Sequence, residues 1–163
     1  MSIGAALIPE FDHEMATTRR MLERVPSDKG QWKPHPKSFP LGHLAQLLSW
    51  MPGWIDNAVR EDSLDLAQTP KYSFEKTERL LADFDAHVKS ARQALSGVSD
   101  ETLAKPWSLS NGSQVYMTLP KSAIIRNHIT HLSHHRGQMS VYLRLLDVPV
   151  PMVYGPTADE RMM

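Results

Sequence analysis

A chain of 163 residues is the size of one ordinary domain and is long enough to bury a sizeable core. With 41% apolar and 22% charged residues, and 18 basic against 18 acidic side chains, the composition is that of a globular protein; it excludes wholesale disorder and supplies no net positive field for a nucleic-acid backbone. Cysteine is absent, which removes disulfides, thiolate ligands and cysteine nucleophiles and fits a reducing compartment.

The first helix is expected from Ile3 to Arg24, with Ser2 as its N-cap and Pro26 just beyond its end. Leu7, Phe11, Met15, Thr18 and Leu22 recur at helical spacing and form the inward stripe. Glu14 projects close to that stripe and needs a partner if buried, whereas His13 points away. Between Val25 and Pro40 four prolines and Gly30 predict a long irregular connection, in which Trp32 anchors a solvated loop or Lys33 and Lys37 form a basic lip over a pocket. The second helix starts between Ser38 and Leu41, buries Leu44, Leu47, Leu48, Met51, Ile55 and Ala58, and should kink or break at Pro52-Gly53.

For the third helix Ser73 is the expected N-cap, with Glu75 in the first turn. Leu80, Leu81, Phe84, Val88, Ala91 and Leu95 make one face, Gly97 follows the end, and His87 sits at the rim, on the surface. Trp107, Val115, Tyr116 and Met117 flank Ser110-Asn111-Gly112-Ser113, which predicts a short hairpin or an ordered loop. The fourth helix runs from Lys121 to Leu146, where Asp147-Val148-Pro149-Val150-Pro151 prevents continuation; the tail is extended, and Tyr154-Gly155-Pro156 is a plain tail or a lid. Four long helices with single apolar faces and little strand signal make an all-α four-helix bundle, one domain over residues 1–163. No run approaches the roughly 20 apolar residues of a spanning helix, and Glu10, Asp12 and Glu14 stand where a signal peptide is apolar, so a cytoplasmic protein without a membrane or nucleic-acid partner is expected.

Histidine is the unusual residue. Of 8 in the chain, His128, His131, His134 and His135 fall close together on the fourth helix. At 100° per residue, Ile124, Tyr142, Leu145 and Leu146 should mark its core side, and the middle of that arc holds Asn127, the four histidines and Gln138. Unpartnered polar burial costs about 1–3 kcal/mol per group, so a metal ion, a wet pocket or a polar interface must satisfy the arc. His131 and His135 are spaced i, i+4, as in helical chelation of a divalent cation, with His128 and His134 left as proton carriers or supporting groups. A third ligand should come from a facing helix: His43 at the edge of the second helix's buried face, or Glu14 on the first. Without cysteine the ion is a nitrogen- and oxygen-bound Zn, Ni, Fe or Mn. Trp50, Trp54, Trp107 and Tyr142 fill the core or line a pocket.

The segment Asn127-His128-Ile129-Thr130-His131-Leu132-Ser133-His134-His135-Arg136-Gly137-Gln138, running on through Val141-Tyr142-Leu143-Arg144 to Tyr154-Gly155-Pro156-Thr157-Ala158-Asp159-Glu160, resembles the C-terminal half of DinB-like (YfiT-like) proteins. Pro34-His35-Pro36-Lys37-Ser38 and Leu41-Gly42-His43-Leu44-Ala45 resemble the same family's approach to the second helix. The resemblance implies a four-helix bundle, often homodimeric, holding a divalent metal by one histidine of the second helix and two of the last, the latter mapping onto His131 and His135. In many members the second-helix ligand falls where this chain has Leu47, and His43 stands one turn earlier; His43, Glu14, His128 or water is left to complete the shell. The activity implied is S-transfer from low-molecular-weight thiols or thiol-assisted isomerisation, a thiol this cysteine-free chain cannot supply itself.

The first functional reading is therefore a metal-dependent transferase or hydrolase acting on a small molecule, in which the ion activates a low-molecular-weight thiol cosubstrate or a water. In it His43, His131 and His135 hold the ion, His134 or His128 carries protons, and Arg136, Asn127 and Gln138 bind substrate. The second is a non-catalytic, stress-associated metal- or ligand-binding homodimer, and the third a dimeric module whose histidines line an empty polar pocket.

Overall fold

The computed structural model describes residues 2–74 and 76–161. Four long helices, α1 (Ile3–Leu22), α2 (Leu41–Arg60), α3 (Thr77–Gly97) and α5 (Lys121–Leu145), form the body, and a short α4 (Asp100–Ala104) follows α3. A small sheet sits at one end, made of β1 (Ser63–Asp65), β2 (Pro106–Asn111) and β3 (Gln114–Pro120). The strand order is β1-β2-β3, with β1 parallel and β3 antiparallel to β2. The expected all-α bundle is thus corrected to a mostly helical fold with a three-stranded sheet; β1 is too short for any periodicity to announce and exists only through its pairing with β2. Among the described residues no helix is long and apolar enough to cross a membrane.

Local signals explain most helix ends. Ser2 accepts the Ala5 amide at α1, and the predicted stripe Leu7, Phe11, Met15, Thr18 and Leu22 is buried throughout. Pro52 lies inside α2, which continues to Arg60, so of the kink or break expected at Pro52-Gly53 the break does not occur. Gly53 has a packing reason: a Cβ there would lie 3.2 Å from the His87 ring, which crosses α2 at this point. His87 is accordingly half-buried, its Nδ1 donating to the Ser49 carbonyl at 2.9 Å, and not the surface residue expected. Ser73 does not cap α3, because its amide donates to Gln46 Oε1; the Thr77 amide instead donates to Ser27 Oγ, fifty residues upstream. The expectation for Glu75 falls outside the described residues.

The hairpin prediction is realised by β2 and β3 around Gly112, which has φ +58. Trp107 on β2 is buried and donates its indole N–H to Asn57 on α2 at 3.1 Å. Helix α5 is turned only in part as expected. Ile124 and Tyr142 are buried as expected, but the deepest face runs through Ile125, Ile129, Leu132, Arg136, Met139 and Leu143, and Leu145 is 57% exposed. The histidine arc therefore flanks an apolar seam, turned toward α2, and is not the core centre itself. Beyond α5 the chain forms a strap without regular structure, seated by buried Val150 and by the Asp159–Arg144 ion pair at 2.5 Å.

Candidate functional site

The flank of α5 that faces α2 gathers three imidazoles. Nε2 of His131 and Nε2 of His135 lie 2.8 Å apart, one turn from each other as the i, i+4 spacing requires. His135 Nδ1 donates to Gln138 Oε1 at 2.7 Å, which leaves the lone pair on His135 Nε2, directed at His131. From α2, His43 stacks between Phe39, at 4.4 Å between centroids, and Tyr72, at 3.8 Å; Tyr72 stacks in turn on Trp50. Burial lowers the proton affinity of His43, His131 and His135, and neighbouring imidazoles lower it further, His135 acting on His43; at His135 the bond to Gln138 opposes this in part. All three therefore favour the neutral form, in which a ring nitrogen can accept a proton or a cation.

His128 is the extreme case. It is 8% exposed, lies between Trp54 and Trp107 at centroid distances of 5.8 and 5.9 Å, and neither ring nitrogen has a hydrogen-bond partner among the described residues. Burial, with His131 adding to it, pushes its pKa down to about 4. Its surroundings make it a neutral wall of the site and give it no route for carrying protons, contrary to the role expected for it. His134 is exposed, with its ring against the His135 ring at 5.1 Å. Asn127 is exposed, and Gln138, also exposed, orients His135. Lys33 and Lys37 are exposed on the long connection.

Arg136 is a clear correction. The expected substrate-binding cation is 1% exposed and commits its guanidinium inward. One terminal nitrogen donates to the Glu14 carbonyl, Thr17 Oγ1 and Thr18 Oγ1, and the other to Glu14 Oε2 at 2.6 Å and to the Tyr154 hydroxyl at 2.7 Å. Glu14 is the matching buried acid; both of its oxygens are taken by Arg136, Tyr154 and Ser133, so it is not the alternative metal ligand considered above. The requirement for a partner was legible at Glu14, but its identity lay 122 residues away.

Phe39 and Tyr72 escaped sequence reasoning because they lie outside any helical periodicity. Two hollows lie outside the histidine arc. One of about 820 Å³ runs between α2 and α3 past Trp50, Trp54, Tyr72 and His87. The other, of about 330 Å³, lies under the strap beside His13, Thr17 and Arg20. Among the described residues no three histidine, aspartate or glutamate side chains come together closely enough to hold a metal ion. The chain offers a preset pair, with His43 nearby but held in its stack.

Comparison with known proteins agrees with this architecture. A DinB-like protein of Bacillus cereus ATCC 10987 superposes with a TM-score of 0.71 at 21% identity, over 91% of this chain and 95% of that one. A DinB-like protein of Bacillus subtilis superposes at 0.68 and 16% identity, over 96% and 99%. A third, from Exiguobacterium sibiricum 255-15, superposes at 0.67 and 18% identity, over 93% and 97%. In sequence, 42 residues are 40% identical to the uncharacterized protein YrdA of Bacillus subtilis strain 168, a match that spans about a quarter of either chain (26% and 25%). The DinB family pattern matches residues 6–162, and the chain belongs to the DinB family.

Proposed function

We propose that the α2–α5 flank binds a divalent cation through His131 and His135, completed by His43, and that the protein is a metal-dependent enzyme acting on a small molecule, with a low-molecular-weight thiol as cosubstrate. The observation that carries this reading is the 2.8 Å approach of the two Nε2 atoms with the His135 tautomer set by Gln138. Imidazole nitrogens bind such ions at about 2.0–2.1 Å, and a ligating histidine characteristically donates its other ring nitrogen to a fixed acceptor. When bound, the ion would lower the pKa of a coordinated thiol or water. The chain's own residues do the rest. Burial favours neutral His131 and His135; His135 Nε2 holds a lone pair, and His131, which donates its Nε2–H to it, would shift that hydrogen to Nδ1 in order to ligate; Gln138 fixes ring orientation; Phe39 and Tyr72 hold His43 and cover one side of the site. For His43 to ligate, its ring must turn within or leave the stack.

The absence of a closed group of three ligands among the described residues favours a second reading. In it the two imidazoles share a proton between their Nε2 atoms, and the flank serves a non-catalytic protein that binds a small ligand. Calorimetric titration with Zn, Ni and Mn, together with elemental analysis, separates the two. About one ion per chain, lost in both His131→Ala and His135→Ala and weakened in His43→Ala, supports the enzyme reading and justifies thiol-transfer assays. Absence of binding for all three ions overturns it and leaves the second.

A further inference from the structure

The hollow between α2 and α3 has a volume of about 820 Å³, within the roughly 300–1,000 Å³ of small-molecule sites, and the metal reading makes no use of it. Trp50 and Trp54, one turn apart on α2 and both half-buried, give it an aromatic wall. Tyr72 stacks on Trp50 at 4.9 Å between centroids. Trp54 has no such stack: the His128 and His131 rings meet it at 55° and 33° between planes.

Two polar side chains lie at the Trp54 end of the hollow, each with one end fixed by the protein and the other left over. Asn57 Oδ1 accepts the Trp107 indole N–H at 3.1 Å. An indole nitrogen can only donate, so this bond sets the side-chain amide, and its NH2 group is left without a partner among the described residues. His87 is set in the opposite sense. Its Nδ1 donates to the Ser49 carbonyl at 2.9 Å, and in the neutral ring this makes Nε2 an acceptor, again without a partner among the described residues. Gly53 lets the ring lie directly on α2, with Nε2 3.5 Å from where a Cβ would stand, one turn before Asn57. Charge is already matched nearby. Asp56 accepts from Arg60 at 2.8 Å and Asp83 from Arg79 at 2.9 Å, so neither carboxylate calls for a cation.

We propose that this end of the hollow binds an uncharged, planar heteroaromatic ring carrying a lactam. The ring lies against the Trp54 indole, its carbonyl oxygen accepts from Asn57 Nδ2, and its N–H donates to His87 Nε2. An indole face takes any flat ring; the preset donor and acceptor decide which one. A ring without the lactam N–H leaves His87 Nε2 desolvated and unpaired, the mismatch that a polar site rejects most strongly. Trp54 also borders His131, but no proposed metal ligand takes part, so the inference stands apart from the metal reading.

The test is calorimetric titration at pH 7 with EDTA present, so that its failure and that of the ion titration are separate results. The probes are lumazine, a bicyclic dilactam, and quinoxaline, a bicycle of the same ring size without a lactam. Lumazine should bind at one site per chain, at least tenfold more tightly than quinoxaline. Asn57→Asp keeps the acceptor for Trp107 and removes the donor; His87→Phe keeps a ring over Gly53 and removes the acceptor. Each should weaken lumazine at least fivefold and leave quinoxaline within twofold. Trp54→Leu should weaken both probes at least fivefold. Gln46→Glu makes the same amide-to-acid change three turns away on α2, where Oε1 still accepts the Ser73 amide, and should leave lumazine within twofold. No lumazine binding at millimolar concentration, equal affinity for the two probes, unchanged affinity in Asn57→Asp or His87→Phe, or an equal loss in Gln46→Glu overturns the proposal. The helical circular dichroism of each variant confirms that it is folded.

Discussion

Substitution of Glu14 tests the internal wiring of the bundle. Arg136 is 1% exposed and Glu14 6% exposed, and their 2.6 Å contact is reinforced by Thr17, Thr18, Ser133 and Tyr154. Two opposing contributions decide the outcome. Burying the two charges is itself expensive, so the pair as a whole adds little net stability; removing one charge strands the other, which costs about 3–5 kcal/mol. Glu14→Gln keeps a neutral acceptor for the guanidinium and should fall at the lower end, about 3 kcal/mol. Glu14→Ala removes the acceptor as well and should reach about 5 kcal/mol. At this chain length each kcal/mol moves the midpoint by about 2–4 °C, giving a drop of about 6–12 °C for the glutamine and about 10–20 °C for the alanine. Urea unfolding gives the free energies and calorimetry the midpoints. Replacing both partners, Glu14→Leu with Arg136→Met, should recover most of the alanine loss, since no charge then remains buried. Asp85→Asn breaks the Arg19–Asp85 bridge, 41% and 47% exposed, and should cost under about 1 kcal/mol. If Glu14→Gln is as harmless as that surface control, the pair is not stranded on substitution and the reasoning fails.

His128 makes stability depend on pH. Its pKa is about 4 in the folded chain against 6.5 for the free side chain, so between those values the unfolded chain binds the proton more readily. Its contribution is complete above pH 6.5 and is lost as pH falls toward 4, up to about 3 kcal/mol at about 1.4 kcal/mol per unit. His128→Leu should flatten this part of the urea-midpoint profile between pH 7.5 and 4.5, and an unchanged slope would refute the assignment. Gly4→Ala should destabilise by about 1–3 kcal/mol despite alanine's better helix propensity, because its Cβ would lie 2.5 Å from the Leu95 carbonyl oxygen of α3; a gain in midpoint temperature would contradict that close approach. Gln138→Ala should weaken Zn binding by about 10–100-fold by releasing the His135 ring, and an unchanged titration would remove Gln138 from the site. Leu47→His adds an imidazole one turn beyond His43, and tighter Zn binding than wild type is expected; no gain would mean that position 47 does not address the His131–His135 pair.

How much of this was legible in the sequence depended on the range of the interaction. Ser2 announces the start of α1 because its partner is three residues away, and Asn111-Gly112 announces the hairpin because turn chemistry is local. Ser73 misled because the true cap of α3 comes from Ser27 across the molecule. The histidines on α5 were visible as a cluster, but periodicity alone placed them at the centre of the buried arc. The wide apolar seam through Ile125, Ile129, Leu132 and Met139 moves them to its flank, where His43 and the aromatic stack meet them. Arg136 was misjudged for the same reason: a cation beside histidines reads as a ligand contact until a buried acid on another helix claims it.

The strap beyond α5 also bears on the order in which the protein is completed during synthesis. Tyr154 reaches Glu14 across 140 residues, and Glu160 meets Arg20 and Arg24 across 140 and 136, so α1 is made long before these partners. Until then Glu14 lacks Arg136 and α1 has no side chain to neutralise its inward acid. The bundle should therefore close only once the strap has emerged, and a stalled ribosome carrying residues up to about 140 should display a helical but protease-sensitive intermediate.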